Sequence, residues 1–350
     1  MPMSLSQIRI NGIRLGSRLN QVFQTSVKGE EITPSSLYQI LAQDKTNIVC
    51  LGFRTDEMGS SVFCCHDLVS DVASGVPLDL ASDLKSGGGK ESSASIVSNV
   101  CQVSVYPHNG SLNTLGFLMG LFGKHGISFQ QMVSSNAMIS FIIDRSDQEK
   151  VLAFLEQEFD LPPTHTPFQQ DYTHETAEFV KKRYPETRAT YVEEKIKTYG
   201  IKLTAGLELL ELSFSPNQRN HLEIIGNGLQ NLAKSGKKFY FTAVMAETSV
   251  AHLYCLTEPL APKDRQDFIF QVQATKGVVV RQALCVDLIS FHGPHFGDRF
   301  GIFNTAMACL NADSINVLLA GCTGASICMV LPYSLGEKAI QALAKGFESP

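Results

Sequence analysis

The chain has 350 residues, 44% hydrophobic and 18% charged, with a net charge of −5. That is apolar material for two average domains or several small ones, and the slight acid excess argues against a nucleic-acid binder, which carries a basic stripe or patch. The longest apolar stretch, 317–331, is interrupted by Gly321, Thr323 and Gly324. It falls short of the roughly 20 residues that a membrane span needs. The opening MPMSLSQIRI has no basic region followed by an apolar run, so no secretory leader is expected. Nine cysteines, an odd number without a CxxC, fit reduced thiols in a cytoplasmic protein.

An internal repeat organises the chain. Segment 41–64 aligns without a gap on 232–255, with Leu41-Ala42 on Leu232-Ala233, Ile48-Val49 on Phe239-Tyr240 and Phe63-Cys64 on Tyr254-Cys255. Segment 127–159 aligns on 315–347, where Ala137, Ile139, Ser146 and Phe159 recur as Ala325, Ile327, Ser334 and Phe347. The two offsets nearly agree, which indicates duplication of a unit of about 190 residues.

Each half reads as two smaller units. The first, 8–85, shows a helix followed by a strand pair. Its link to the next is 86–95 (SGGGKESSAS), flexible by composition. The second unit runs strand 101–106, helix 114–125, strands 128–132 and 137–144, and helix 148–159. Residues 161–200 open with Pro162-Pro163 and carry a charged helical pattern broken by Pro185. In it Tyr184, Tyr191, Val192 and Ile196 suit one buried face, as a solvated connecting helix or a partner-docking one. A third unit covers 207–283. The fourth reads strand 286–291, a Gly/Pro loop 292–300, helix 301–312, strands 314–320 and 325–331, and helix 337–347. The order β-α-β-β-α, closed by a fourth strand, describes a ferredoxin-like unit of the α+β class.

Several chemical motifs compete for attention. His292, His295 and Asp298 have H-x-x-H-x-x-D spacing, which could hold Zn or Fe. They flank Gly293, Pro294 and Gly297, with no Cys or Glu nearby, and read as loop residues. Alternation puts Cys64 and His66 on one face of a strand and Cys65 on the other, so they read as core residues. Gly87-Gly88-Gly89-Lys90 lacks the distant first glycine and the following Ser/Thr of a phosphate loop.

The stretch SFHGPHFGDRFGIFNTAMACLNADSINVLLAGCTGASICMVL resembles the ACT family, specifically the tandem ACT pair at the C-terminus of aspartokinases. Asp298-Arg299-Phe300-Gly301 resembles that family's D-x-P-G loop, with Phe300 where Pro is usual. Ser314-Ile315-Asn316 resembles its G-I-N. QQMVSSNAMISFIID looks like the strand-turn-strand that ends in a Ser-Glu pair, here Ser135-Asn136. The resemblance implies four ferredoxin-like ACT modules in two tandem pairs. The expected division is 1–95 (module one, with its linker 86–95), 96–162, a helical linker 163–206, 207–283 and 284–350. No Lys-Phe-Gly-Gly-type kinase start appears, so the resemblance is to the regulatory part alone and implies neither catalysis nor a cofactor.

In such a unit the loop after the first strand feeds a helix N-terminus, whose unpaired N–H groups and dipole favour a carboxylate. By position, the resemblance places effector contacts on Ser111, Asn113, Thr114, Leu115, Gln130, Ser135 and Asn136. In unit four they fall on Asp298, Arg299, Gly301, Ile302, Phe303, Leu318, Thr323 and Gly324. Acidic residues usual in the family are replaced at Gln130, Leu318, Asn136 and Gly324, which weakens the case for lysine. The expected protein is a non-catalytic regulator that binds a small effector, an amino acid such as lysine or threonine. It would be a homo-oligomer, because open sheet edges invite pairing. The alternative is an interaction subunit that docks an aspartokinase-like catalytic partner; a third is a metal-dependent enzyme centred on His292 and His295.

Overall fold

The computed structural model describes residues 7–27, 37, 41–42, 46, 48–57, 59–67, 93–163, 168–169, 195–247, 249–281, 283–294, 296, 300–323 and 326–350. The first half contains β1 (Ile8–Arg9), β2 (Gly12–Val27), β3 (Ile48–Thr55), β4 (Gly59–Asp67) and β5 (Ser93–Tyr106). These are followed by α1 (Leu112–His125), β6 (Gln131–Ser134), β7 (Ile139–Asp144), α2 (Gln148–Glu158), β8 (Phe159–Asp160) and β9 (Phe168–Gln169). The second half contains β10 (Ile196–Lys197), β11 (Ile201–Phe214), α3 (Arg219–Ala233), β12 (Phe239–Ala246), β13 (Ala251–Thr257), α4 (Pro262–Gln273) and β14 (Val279–Val280). It ends with β15 (Leu284–His292), α5 (Ile302–Ala312), β16 (Leu319–Cys322), β17 (Ser326–Pro332), α6 (Gly336–Leu343) and β18 (Phe347–Glu348). The order β-α-β-β-α-β recurs from β5 to β8, from β11 to β14 and from β15 to β18.

Local sequence sets these elements. In α1, Leu115, Leu118, Met119 and Phe122 repeat at helical spacing and are buried. Ser111 caps the start, its Oγ accepting from the Thr114 N–H at 3.1 Å, and Gly126 ends it at φ 63°.

The strands form one closed, antiparallel ring in the order β3-β4-β2-β5-β7-β6-β12-β13-β11-β15-β17-β16, returning to β3. Each half contributes an arc of strands in the same sequence. Two seams join the arcs. In one, β12 pairs with β6 (Ala243 opposite Val133); in the other, β16 pairs with β3 (Gly321 opposite Gly52). Both edges of every strand in the ring are therefore taken, and the edge-pairing motive for oligomerisation is met within the chain.

Three apolar cores follow. Beneath α1 to α4 lie Leu115, Phe122, Phe141, Leu212, Ile225 and Phe268. Beneath α5, α6 and helical residues 37 and 41 lie Phe53, Phe291, Met307 and Leu343 with Leu37 and Leu41. Inside the ring, Leu19, Cys65, Val133, Phe241, Leu256, Leu288 and Val330 pack together. The long strands serve more than one core. Ile13 and Leu15 of β2 join the first and Val22 the second, while Leu212 of β11 joins the first and Ile201 borders the second.

Cys64 packs outward and Cys65 into the ring, as alternation predicts. Burial pushes both thiols well above their ordinary pKa and Cys255 up to about 12, so they stay neutral.

The boundaries differ from expectation for identifiable reasons. The strand expected over 314–320 begins only at Leu319, because Ser314 turns left-handed (φ 54°) and the Ile315 N–H closes on the Leu310 carbonyl at 2.9 Å. The strand expected from 128 starts at Gln131 after a similar turn at Gly126. The helix expected over 337–347 stops at Leu343, and Phe347 instead pairs with Ile196 in parallel strands. Ile196 is thus in β10 rather than on a helix; 170–194, the body of that expected helix, lies outside the described residues. Of the linker 86–95, residues 93–95 are strand, paired with Phe23, Gln24 and Thr25 of β2. The rest lies outside the described residues. Among the described residues no helix is long and apolar enough to cross a membrane.

Glycines let the ring close tightly. A Cβ on Gly321 would stand 2.6 Å from Phe241 Cζ and 2.7 Å from Val133 Cγ1; one on Gly52 would stand 2.9 Å from Met245 Cε. Gly120 on α1 has nothing within 4 Å of its added Cβ. Gly321→Ala is therefore expected to cost about 1–3 kcal/mol by overpacking, and Gly120→Ala to gain up to about 1 kcal/mol from helix propensity. Urea midpoints of the two variants measure the contrast.

Candidate functional site

The loop between β5 and α1 is fastened on two sides. The His108 N–H donates to the Ala137 carbonyl at 3.0 Å, and His108 Nε2 lies 2.8 Å from the Ser135 carbonyl. His108 Nδ1 accepts the Gly110 N–H at 2.9 Å. The ring is therefore the neutral Nε2–H tautomer with both nitrogens engaged. It stacks on Phe239 at 4.8 Å, and burial holds its pKa below the ordinary imidazole value. On the other side, Ser111 forms a β-bridge to Lys238, and the Phe239 N–H donates to the Gly110 carbonyl at 2.9 Å. The loop of the first half is thus zipped to the start of β12 in the second.

Several of the expected effector residues meet here. Ser111, Asn113 and Thr114 open α1; Asn113 Oδ1 accepts from Gln230 Nε2 of α3 at 3.3 Å. Ser135 forms the tight turn after β6, its Oγ accepting the Met138 N–H at 3.2 Å, and Asn136 is exposed beside it. Leu115 is wholly buried in the first core. Gln130 stands at the far end of β6, roughly 16 Å from Ser135 at strand rise. Its carbonyl accepts the Ala246 N–H at 3.0 Å, and its Oε1 has no partner among the described residues.

The fourth unit is more closed. Gly301 is left-handed (φ 77°) at the start of α5, while Ile302 and Phe303 are buried in the second core. Leu318 exchanges backbone bonds with Val330 and Thr55. Thr323 Oγ1 is buried without a partner among the described residues. Asp298, Arg299 and Gly324, with His295 of the metal pattern, lie outside the described residues.

A cleft of about 440 Å³ opens at this end of the ring, between the zipped loop and the facing strands β11 and β15. His108 and Asn136 line it from the first half; Tyr199, Lys202, Tyr240 and His292 line it from the second. Its size suits a small molecule. Sequence reasoning placed Asn136 in the effector site and His292 in a metal pattern but missed Tyr199, Lys202 and Tyr240, because the strands that complete the cleft come from the other repeat. The signal was present in the Phe239-Tyr240 half of the aligned repeat, without anything to say what it faced.

Neither a family model nor a curated protein matches the sequence. Among solved structures, an aspartate kinase from Synechocystis matches with a TM-score of 0.73 at 13% identity. The match covers 97% of this chain and 57% of that one, so the chain spans a little over half that enzyme's length. The likeness is one of fold. The ligand-free regulatory subunit of aspartate kinase from Thermus thermophilus matches at 14% identity and a TM-score of 0.37, covering 43% of this chain and 99% of that one. An E. coli aspartokinase III in complex with lysine and aspartate matches at 13% identity and a TM-score of 0.34, covering 45% of this chain and 35% of that one.

The opposite mouth of the ring carries charge instead. Arg54 bridges Asp56 (2.6 Å) and Glu247 (3.0 Å), and Arg281 reaches Glu211 at 3.3 Å, so strand ends from both halves are tied there.

Because burial favours neutral His108, the folded state binds fewer protons than the unfolded chain once pH falls below about 6.5. Stability is expected to drop as pH falls through that window, with a slope for this one group of at most ~1.4 kcal/mol per pH unit. In His108→Gln the loss between pH 7.5 and 5.5, read from urea unfolding, should be shallower than in the wild type.

Proposed function

We propose that the chain is a non-catalytic, cytoplasmic regulatory protein that binds a small amino-acid-like effector through four ACT modules in two tandem pairs. The observation that carries this reading is the cleft, which places a zipped helix-entry loop from one half against strands of the other. A ligand there touches both halves at once and favours the conformation in which they are apposed. The recurring β-α-β-β-α-β runs, the order of a ferredoxin-like unit, support this reading. Of the expected residues, Asn136 is proposed to touch the ligand, joined by His108 and, across the seam, by Phe239 and Tyr240, while Ser111 and Ser135 hold the loop that shapes the cleft. In unit four the counterpart surrounds Gly301 and Thr323. An aspartokinase-like enzyme is the proposed target, and any second copy would dock through a surface other than a ring edge.

The test is thermal melting of the full chain against the twenty amino acids, singly at millimolar concentration. A ligand at a hundred times its Kd stabilises by about 2.7 kcal/mol. A selective rise of several degrees with one compound or one chemical group of compounds is expected. An unchanged midpoint with every compound would contradict effector binding and favour the docking subunit.

A further inference from the structure

We infer that the cleft at the mouth of the ring selects a small organic anion, carrying a carboxylate or phosphate beyond that of a neutral amino acid, rather than a basic one. This rests on the effector-binding reading above and narrows its ligand. Lys202 and Ser290 face each other directly across β11 and β15, and both line the cleft. The Tyr199 N–H donates to the His292 carbonyl at 2.9 Å, and the two rings lie 5.4 Å apart, bringing the imidazole to the same rim. The Lys202 ammonium makes no ion pair among the described residues, and the Asn136 amide makes no hydrogen bond among them.

Two polar groups of the lining are already spent. His108 uses both ring nitrogens within its own loop. The Tyr240 hydroxyl donates to Glu258 at 3.4 Å, a carboxylate that is not part of the lining. Among the described residues no Asp or Glu lines the cleft. A ligand ammonium would therefore meet Lys202 without a counter-charge, whereas a second acidic group would gain a charge-assisted bond. The aromatic faces of Tyr199 and Phe239 give the ligand's carbon skeleton an apolar wall.

The experiment compares glutamate, glutamine, lysine and succinate by isothermal titration on the full chain, with Lys202→Ala and Lys202→Gln as variants. Glutamate and glutamine share a shape and differ in one charge. Glutamate or succinate should bind and glutamine bind more weakly, with roughly tenfold or greater loss of anion affinity in both variants. Lys202→Arg should restore it. Tighter binding of lysine or glutamine than of glutamate would overturn the charge selectivity while leaving effector binding intact. Anion affinity unchanged in both variants would overturn the placement at this cleft. Failure of all four to bind would overturn the inference, and only an equally silent amino-acid panel would extend the failure to effector binding.

Discussion

The architecture depends on the contact between two seams. One seam, β6 with β12, presents Val133 and Phe241 inward; the other, β3 with β16, presents the glycine pair Gly52 and Gly321. Side chains on one side fill the space that the absent side chains on the other leave. Dispersion and burial act over an interior in which Phe63 and Phe241 are fully enclosed. Had both seams carried bulky residues, the sheets would stand farther apart and the inner core would lose its close packing. The same economy recurs outside the ring, where a methyl on Gly116 of α1 would run into the Gly226 carbonyl of α3. Small residues at both levels let backbone approach backbone.

Closing the ring determines where a ligand can bind. The helix-entry loop of a single module would leave its backbone groups to solvent, but here the loop is stitched to β12 by the Gly110–Phe239 hydrogen bond and the His108–Phe239 stack. The helix start therefore belongs to the seam, and the open space moves inward to the gap between facing strands. Each end of the ring has its own chemistry. One carries the Arg54, Asp56 and Glu247 pairs that join strand ends; the other carries the polar cleft. Long strands shared between cores mean that a shift in one half is felt by both.

Much of this was legible in the sequence, and the pattern of success is physical. Helices such as Leu112–His125 announce themselves through apolar spacing, a serine cap and a terminal glycine, all local signals. The alternation that separates Cys64 from Cys65 is local too. What the sequence hid depends on partners far away along the chain. Ser93, Ala94 and Ser95 look like linker, yet pairing with β2 makes them strand. Phe347 looks like the last turn of a helix, yet Ile196 draws it into a parallel pair. The repeat revealed that the halves were equivalent without revealing that they close on each other. That is why Lys202, Tyr199 and His292 were absent from the expected site, and why Gln130 was grouped with residues at the other end of its strand.

Hydrogen exchange under native conditions tests the closed ring most directly. If the two seams hold one cooperative unit, the backbone amides of Met132 and Val244, which face each other across β6 and β12, should open with the same free energy as those of Phe53 and Ala320 across β3 and β16, equal to that of global unfolding. Early exchange at Phe53 and Ala320 while the β6–β12 seam stays protected would contradict the account, because the ring would then be an open arc with a weakly closed gate.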